Sequence, residues 1–313
     1  MSVMQALTLG QTALELGLIM SLVVLSLFLS YTMLNVCDLS TDGCFTLGCA
    51  VGAMVAISGH PYLAIIAAMI SGALSGFITA VLQTRMGVDS LLAGIVVNTG
   101  LYSINIAVMG NSSLLNMNKT ETVFTKMKAF LSGTPLENYS KLIVPLIAVV
   151  LVVLFLGYFL NTRLGLSIRA TGDNPDMVKS SSIAPAFTIT VGLCISNMFT
   201  ALGGCLLGEY QKSCDINIGT GMLTIALASL LIGGTLFARG PMWIRAFGAV
   251  VGAVIFRFVY TIALRLDMPA SWLKLISSVI VILFIFLPYV KKNARMWQKR
   301  SQSIREWRKG ERK

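Results

Sequence analysis

Apolar runs, each near the length of one bilayer crossing, alternate along this chain with short polar punctuation. A hydrocarbon core of about 30 Å demands roughly 20 apolar residues of helix. Runs of that order recur over 14–34, 44–58, 62–82, 90–110, 142–160, 184–207, 219–237, 246–264 and 270–290. The pattern predicts an all-α fold, a polytopic transmembrane helix bundle of about nine spans filling residues 1–290. The second and seventh runs are short or interrupted, by Gly43 and Gly48 and by Gly219 and Gly221. Broken helices are tolerated at membrane depth only beside a cavity or inside protein. Asp38, Ser40, Asp215 and Asn217, which open those runs, are therefore candidate hinge or vestibule residues. Simple helix caps are the alternative reading.

The two interrupted runs also resemble each other. "DLSTDGCFTLGCAVGA" begins at Asp38 and "DINIGTGMLTIALASL" at Asp215, while "GALSG" at Gly72 and "GAVVG" at Gly248 follow at nearly equal separations. These landmarks predict duplication of a four-helix unit, spans one to four and six to nine. An odd offset of five spans would invert the second copy, an arrangement common among transporters. Small residues four apart also have a plainer use, since they let helix backbones approach closely.

Composition agrees with a membrane protein: of 313 residues 56% are hydrophobic and 12% charged, and the mean hydropathy is +0.80. The net charge of +11 is concentrated at the end, where residues 291–313 hold ten Lys/Arg and two Glu. A basic tail after a span predicts a cytoplasmic C-terminus. Within it Trp297, Ile304 and Trp307 fall near one helical face among basic residues, as in a helix lying on an anionic bilayer surface. A recognition motif for nucleic acid is lacking, so no nucleic-acid partner is expected. Counting back through nine spans places the N-terminus outside. "MSVMQALTLGQTALELG" agrees, having no Lys or Arg and no secretory-signal n-region, so span one is expected to be retained. The 110–141 loop is then outside, although its four lysines run against the rule.

Chemistry that would make an enzyme is missing. The chain has no phosphate-binding Gly-x-x-x-x-Gly-Lys-Ser/Thr, no nucleophilic triad and a single histidine, His60, in a short turn. Six cysteines lack metal-ligand spacing and read as packing residues, and no cofactor is implied. Asp38, Asp42, Asp89, Glu209, Asp215 and Asp267 all fall near predicted span ends, whereas ion-coupled carriers place acids within spans. An ion-coupled secondary transporter is thus the second-ranked reading, and a scaffold or receptor without transport the third. Within the spans, Asn98, Tyr102 and Asn105 share one face of span four, and Ser196, Asn197 and Thr200 cluster in span six. Either set would line a substrate path or make interhelical hydrogen bonds. Arg257 is the one basic residue well inside an apolar run. It pairs with an acid across an interface, meets a substrate carboxylate, or reaches out of the membrane.

One polar passage, "NTRLGLSIRATGDNPDMVKSSSI" over residues 161–183, separates two long apolar runs. Asn174-Pro175 is a helix-start signal, with Asn as N-cap, Pro at the first helical position and Asp176 facing the positive end of the dipole. A two-turn helix from Pro175 to Ser182 follows, too short to persist alone in water. "GLSIRATGDNPDMVKSSSI" resembles the cytoplasmic coupling segment of inner-membrane permeases of branched-chain amino acid and ribose type ATP-binding cassette importers. "DLSTDG" resembles the Asp-Leu-Ser motif after an early span of the same family. The resemblance covers residues 14–290 and is nearest the subgroup associated with tryptophan or other aromatic amino acids. It implies a non-enzymatic permease of the bacterial plasma membrane that moves a small solute by alternating access. It also implies a permease homodimer or pair, separate ATP-binding cassette ATPase subunits and an extracytoplasmic substrate-binding protein. Coupling to the ATPase is carried over to Arg169, Gly172, Asp173, Asn174 and Pro175, with Asp176 beside them. Many relatives have an additional first span that this chain is expected to lack.

Overall fold

Prolines and capping Asp, Asn or Thr side chains set most of the helix starts. In the computed structural model, residues 3–133, 137–237 and 240–264 are described, with Leu275, Ser278, Val279, Ile282, Leu283 and Phe286 besides. The helices are α1 (Val3–Leu27), continued by a π-helical turn Phe28–Met33, α2 (Thr41–Ile57), α3 (Pro61–Thr84), α4 (Ser90–Val108), α5 (Val123–Phe130), α6 (Ser140–Phe159), α7 (Arg163–Asp173), α8 (Pro175–Ser180), α9 (Pro185–Gln211), α10 (Met222–Leu236) and α11 (Met242–Leu264). α3, α8 and α9 begin on proline, whose fixed φ suits a first turn and whose missing N–H costs nothing there. Asp89 caps α4 by accepting from Leu91 N at 2.9 Å.

Six helices among the described residues are long and apolar enough to cross a bilayer: Thr8–Met33, Pro61–Thr84, Ser90–Val108, Ser140–Phe159, Pro185–Gln211 and Met242–Ala263. α2 and α10 are apolar but shorter. Among the described residues, these six full-length apolar helices and two short ones stand at the first eight of the nine expected spans. The ninth expected span, 270–290, is described only at isolated positions, and the basic tail 291–313 lies outside the described residues. The chain up to Thr261 forms one compact unit.

α1 and α9 are the most buried of the long helices, and α3, α4 and α6 the most exposed. Exposed apolar side chains on the outer helices, such as Ile66, Ile70, Leu151 and Leu154, suit a hydrocarbon surround. α9 is central because its neighbours approach backbone to backbone. A Cβ at Gly48 of α2 would strike Ala201, one at Gly204 of α9 would strike the Phe45 carbonyl oxygen, and one at Gly72 of α3 the Asn197 carbonyl oxygen. Tight small-residue seams of this kind hold membrane helices together by dispersion.

The helix pairs are suggestive of a repeat. α9 packs on α2 and α3, while α1 packs on α10 and, through Gly17 at 3.1 Å from Val254 Cα, on α11. The landmarks that suggested duplication do different work, however. Gly72 lies on α9 whereas its counterpart Gly248 lies against the Phe237 side chain just past α10, and Asp38 is buried whereas Asp215 is exposed.

The 110–141 stretch contains more structure than expected. β1 (Leu114–Asn116) pairs antiparallel with β2 (Ser213–Asp215), with Leu115 opposite Cys214. α5 follows, its first amide, Val123 N, donating to Glu209 Oε2 of α9 at 2.8 Å. Cys49, Cys205 and Cys214 share one apolar cluster with Ala50, Ala53 and Met109.

Candidate functional site

A polar cleft of about 400 Å³ lies between α2, α4 and the stretch leading into α10. Its floor is set by Asp42, in the first turn of α2. Asp42 Oδ2 accepts from Gly221 N at 2.9 Å and Oδ1 from Leu223 N at 2.8 Å, which caps the first turn of α10. The two short helices thus start from one point. Gly221 has φ +84°, a left-handed conformation that favours glycine. Gly219 packs directly on the Asp42 carbonyl oxygen, where any side chain would push the two segments apart.

α4 supplies the opposite wall, where Asn98, Tyr102 and Asn105 line the cleft together with Asn217 and Thr220. On this 19-residue apolar helix Asn98 sits at the middle and Tyr102 and Asn105 one and two turns nearer the end, so the cleft runs from the middle of the span toward its C-terminal end. Asn105 is 1% exposed, and its Nδ2 donates to Gly43 O at 3.1 Å while Oδ1 is buried without a partner. Thr99, Tyr102 and Ser103 are exposed on the same helix. Polar groups exposed at that depth require water or protein beside them. A second cavity, of about 420 Å³ between α3, α5, α6 and α9, is lined almost wholly by carbon and gives a polar solute nothing to orient on.

The remaining sequence candidates go elsewhere. Asn197 Nδ2 donates to Asp38 Oδ2 at 2.8 Å, while Asp38 Oδ1 accepts from Ser40 N at 2.8 Å and Ser40 Oγ at 2.6 Å. This buried knot joins the entry to α2 with α9. Thr200 Oγ1 lies 2.7 Å from Ser26 Oγ, and Ser196 Oγ 2.8 Å from the same hydroxyl, which stitches α9 to α1. Asn197 and Thr200 therefore stand in interhelical bonds and line neither cavity. Asp215 is exposed and accepts from Asn217 N at 2.7 Å, which shapes the turn at the cleft edge.

Arg257 also lies away from the cleft. Its Cζ sits 5.0 Å from the Tyr260 ring centroid, and its Nε is buried without a hydrogen-bond partner. Among the described residues no carboxylate lies within ion-pairing distance of it. A further acid, Glu15, stands apart from the six placed near span ends. It is 3% exposed inside α1, where its Oε1 accepts from Gln11 Nε2 at 3.0 Å and its Oε2 from Tyr210 Oη at 2.8 Å. Two donors make the buried carboxylate tolerable.

The 161–183 passage contains two helices rather than one. α8 has the expected cap, Asn174 Oδ1 accepting from Asp176 N and Met177 N, each at 3.1 Å. It ends at Ser180, two residues before the expected Ser182, in a turn. α7, which the sequence did not announce, carries Arg169, Gly172 and Asp173. It rests on the end of the first span: a Cβ at Gly172 would strike the Met33 carbonyl oxygen, and Thr171 Oγ1 lies 2.8 Å from Thr188 Oγ1 of α9. Asp173 to Met177 are exposed while Val178 is buried. An exposed helix-turn-helix is thus anchored to the two central helices at once.

Residues 11–285 match the family model described as branched-chain amino acid transport system / permease component. The chain belongs to that family. This permease is 32% identical over 270 residues to the tyrosine transport system permease protein of Clostridioides difficile (strain R20291), covering 86% of this chain and 88% of that one. It is 33% identical over 291 residues to an uncharacterized protein of Rickettsia prowazekii (strain Madrid E), covering 90% and 97%. It is also 29% identical over 259 residues to the ribose import permease protein of Escherichia coli (strain K12), covering 82% and 77%. No solved structure matches it. The permease is a membrane-embedded transport component of an ATP-binding cassette importer, not an enzyme, and moves a small polar solute. The family's general architecture implies ATPase and substrate-binding partners.

Proposed function

We propose that this permease moves an amino acid, tryptophan or another aromatic one, by alternating access through the α2–α4–α10 cleft. A separate ATPase drives it by acting on α8. The observation that carries the reading is the pairing of a polar, membrane-depth cleft with an exposed capped helix anchored through α7 to α1 and α9. Similarity to a tyrosine transport permease supports the solute class. Arg169, Gly172, Asp173, Asn174, Pro175 and Asp176 form the coupling surface on the cytoplasmic side, and Asp38 and Ser40 hold the start of α2 as a hinge. The exposed polar strip of α4 is covered by a second permease, and the four-helix units before and after α6 are inverted copies.

Accumulation of radiolabelled tryptophan and tyrosine tests this in cells that express the permease, its ATPase and its binding protein. Uptake should vanish when the ATPase loses its phosphate-binding lysine and should survive an uncoupler while ATP is held constant. Uptake that persists without the ATPase, or that tracks the proton gradient, refutes the reading.

A further inference from the structure

The carbon-lined cavity of about 420 Å³ has no part in the solute path. Its length is informative. Along α6 it runs from Val144 to Phe155, eleven residues that rise about 16 Å, close to half of a hydrocarbon core of about 30 Å. It starts near the first turns of α6, at the end of the bundle that carries α5 and lies away from α7 and α8. The groove therefore covers one leaflet, from the interface inward. At its deep end Phe155 stands edge to face on Phe199, with ring centroids 5.8 Å apart. The mouth is basic. One turn before Ile65, Tyr62 of α3 carries Lys126 of α5 over its ring, Nζ lying 5.5 Å from the centroid, and Lys126 is flanked by the lining residues Val123 and Met127. Lys141 shares a face of α6 with Val144 and Ala148 at i, i+3 and i+7. Tyr62 and Tyr139, both exposed at this level, are side chains suited to headgroup depth. Residues 110–141 hold four lysines and two glutamates, an excess of two positive charges at the end of the bundle where the positive-inside rule predicts few. Glu121 meets Lys126 at 3.5 Å and Glu137 meets Lys128 at 4.0 Å, both in solvent-accessible pairs that hold their partners loosely. Lys119 and Lys141 meet no carboxylate among the described residues.

We propose that this groove binds an anionic phospholipid. One acyl chain fills the carbon-lined channel between α3, α5, α6 and α9, and the headgroup phosphate rests on Lys126 and Lys141. The lysine stems lie along apolar surface while their ammonium groups stay in the headgroup layer, where they attract anionic lipid. The chain supplies the face of α9 with dispersion contacts that a hollow denies it. This accounts for the lysines that the positive-inside rule does not. A second copy of the permease suits the groove less well. A two-fold contact sets like surface on like, so a groove centred on that axis would face its own hollow, with lysines on both sides.

The full-length permease, purified in a mild detergent, is titrated with palmitoyl-oleoyl phosphatidylglycerol and with phosphatidylcholine of the same chains. Bound lipid is counted by native mass spectrometry, and folding is followed by thermal melting. A single phosphatidylglycerol per chain should bind roughly tenfold more tightly than phosphatidylcholine, or better, and should raise the melting temperature. Lys126→Gln combined with Lys141→Gln, both outside the carbon lining, should bring the two lipids to about equal affinity. Ala148→Trp places an indole in the channel and should weaken both lipids by roughly tenfold or more. Ala148→Leu, a smaller intrusion, should move both in the same direction and keeps the test open if the larger side chain prevents folding. Glycerol 3-phosphate, a headgroup without a chain, should not compete. Equal binding of the two lipids by the unaltered chain, a preference that survives the lysine pair, or undiminished binding in a folded Ala148 variant overturns the proposal. Competition by glycerol 3-phosphate also overturns it, in favour of a free-phosphate site. Dimers lost in a folded Ala148→Trp variant whose lipid binding is unchanged would give the groove to a second copy instead.

Discussion

Replacing Asn174 by alanine removes a cap and almost nothing else. The side chain is exposed, and its Oδ1 accepts the amides of Asp176 and Met177, both at 3.1 Å. α8 has six residues, too few to be stable by itself, so its order depends on this cap and on the burial of Val178. Loss of an Asn cap to alanine costs about 1 kcal/mol. That free energy corresponds to roughly a fivefold fall in the equilibrium constant for the ordered helix. Amide hydrogen exchange at Met177 should accelerate by about that factor, and ATP-driven uptake at saturating solute should fall by up to the same factor. The thermal midpoint of the whole permease should hold, because the buried seams of α9 are untouched. Asn174→Ser and Asn174→Asp keep an acceptor at the cap and should recover most of both signals. The reasoning fails if Met177 exchange accelerates with uptake unchanged, for then helix order is not what the motor uses. It fails differently if the serine variant is as impaired as the alanine one, which would remove the cap as cause.

Other substitutions probe the supports around the cleft. Gly204→Val places methyl groups against the Phe45 carbonyl and should destabilise by about 1–3 kcal/mol or more, read as a lower melting temperature in detergent; an unchanged midpoint would contradict the seam. Asp38→Ala strands the Asn197 amide and the Ser40 N–H and should cost about 1–3 kcal/mol, with Asp38→Asn milder because one acceptor remains. Equal losses in the two variants would show that the knot's hydrogen bonds are not what Asp38 contributes. Arg257→Met should keep uptake and change stability by only about 1 kcal/mol, since no described carboxylate depends on the cation. Collapse of uptake in a folded Arg257→Met variant would mean that the guanidinium meets the solute.

Much of the helix frame was legible because apolar run length reports bilayer crossing directly: 62–82 became Pro61–Thr84 and 142–160 became Ser140–Phe159. The α8 cap was legible for a similar reason, since Asn174 and the amides it binds lie within three residues. What failed depended on distance along the chain. α7 is held by Gly172 against Met33 and by Thr171 against Thr188, and its own polar sequence gives no hint of the first contact. Spacing put Asn98, Tyr102 and Asn105 on one face and Asn197 and Thr200 on another, but what stands opposite each face is set by packing. Only the first set met a cavity. Asp42 stands at a helix end, as its position implies, but its partners could not be read from spacing, since the Gly221 and Leu223 amides lie 179 and 181 residues away. The turn before α2 is closed by Asp38 and Ser40 through their own side chains. Glu15 was half readable: Gln11 is four residues away, but Tyr210 is 195.

The short strand pair has a mechanical consequence. It ties the chain leaving α4 to the chain entering α10, and Ile216 N donating to Ser113 O at 3.0 Å extends the tie right up to the cleft wall. Those two walls are therefore bound like facing pages along a spine. If the proposed solute path opens here, the joined edge restrains the opening to a wedge that widens from the other edge.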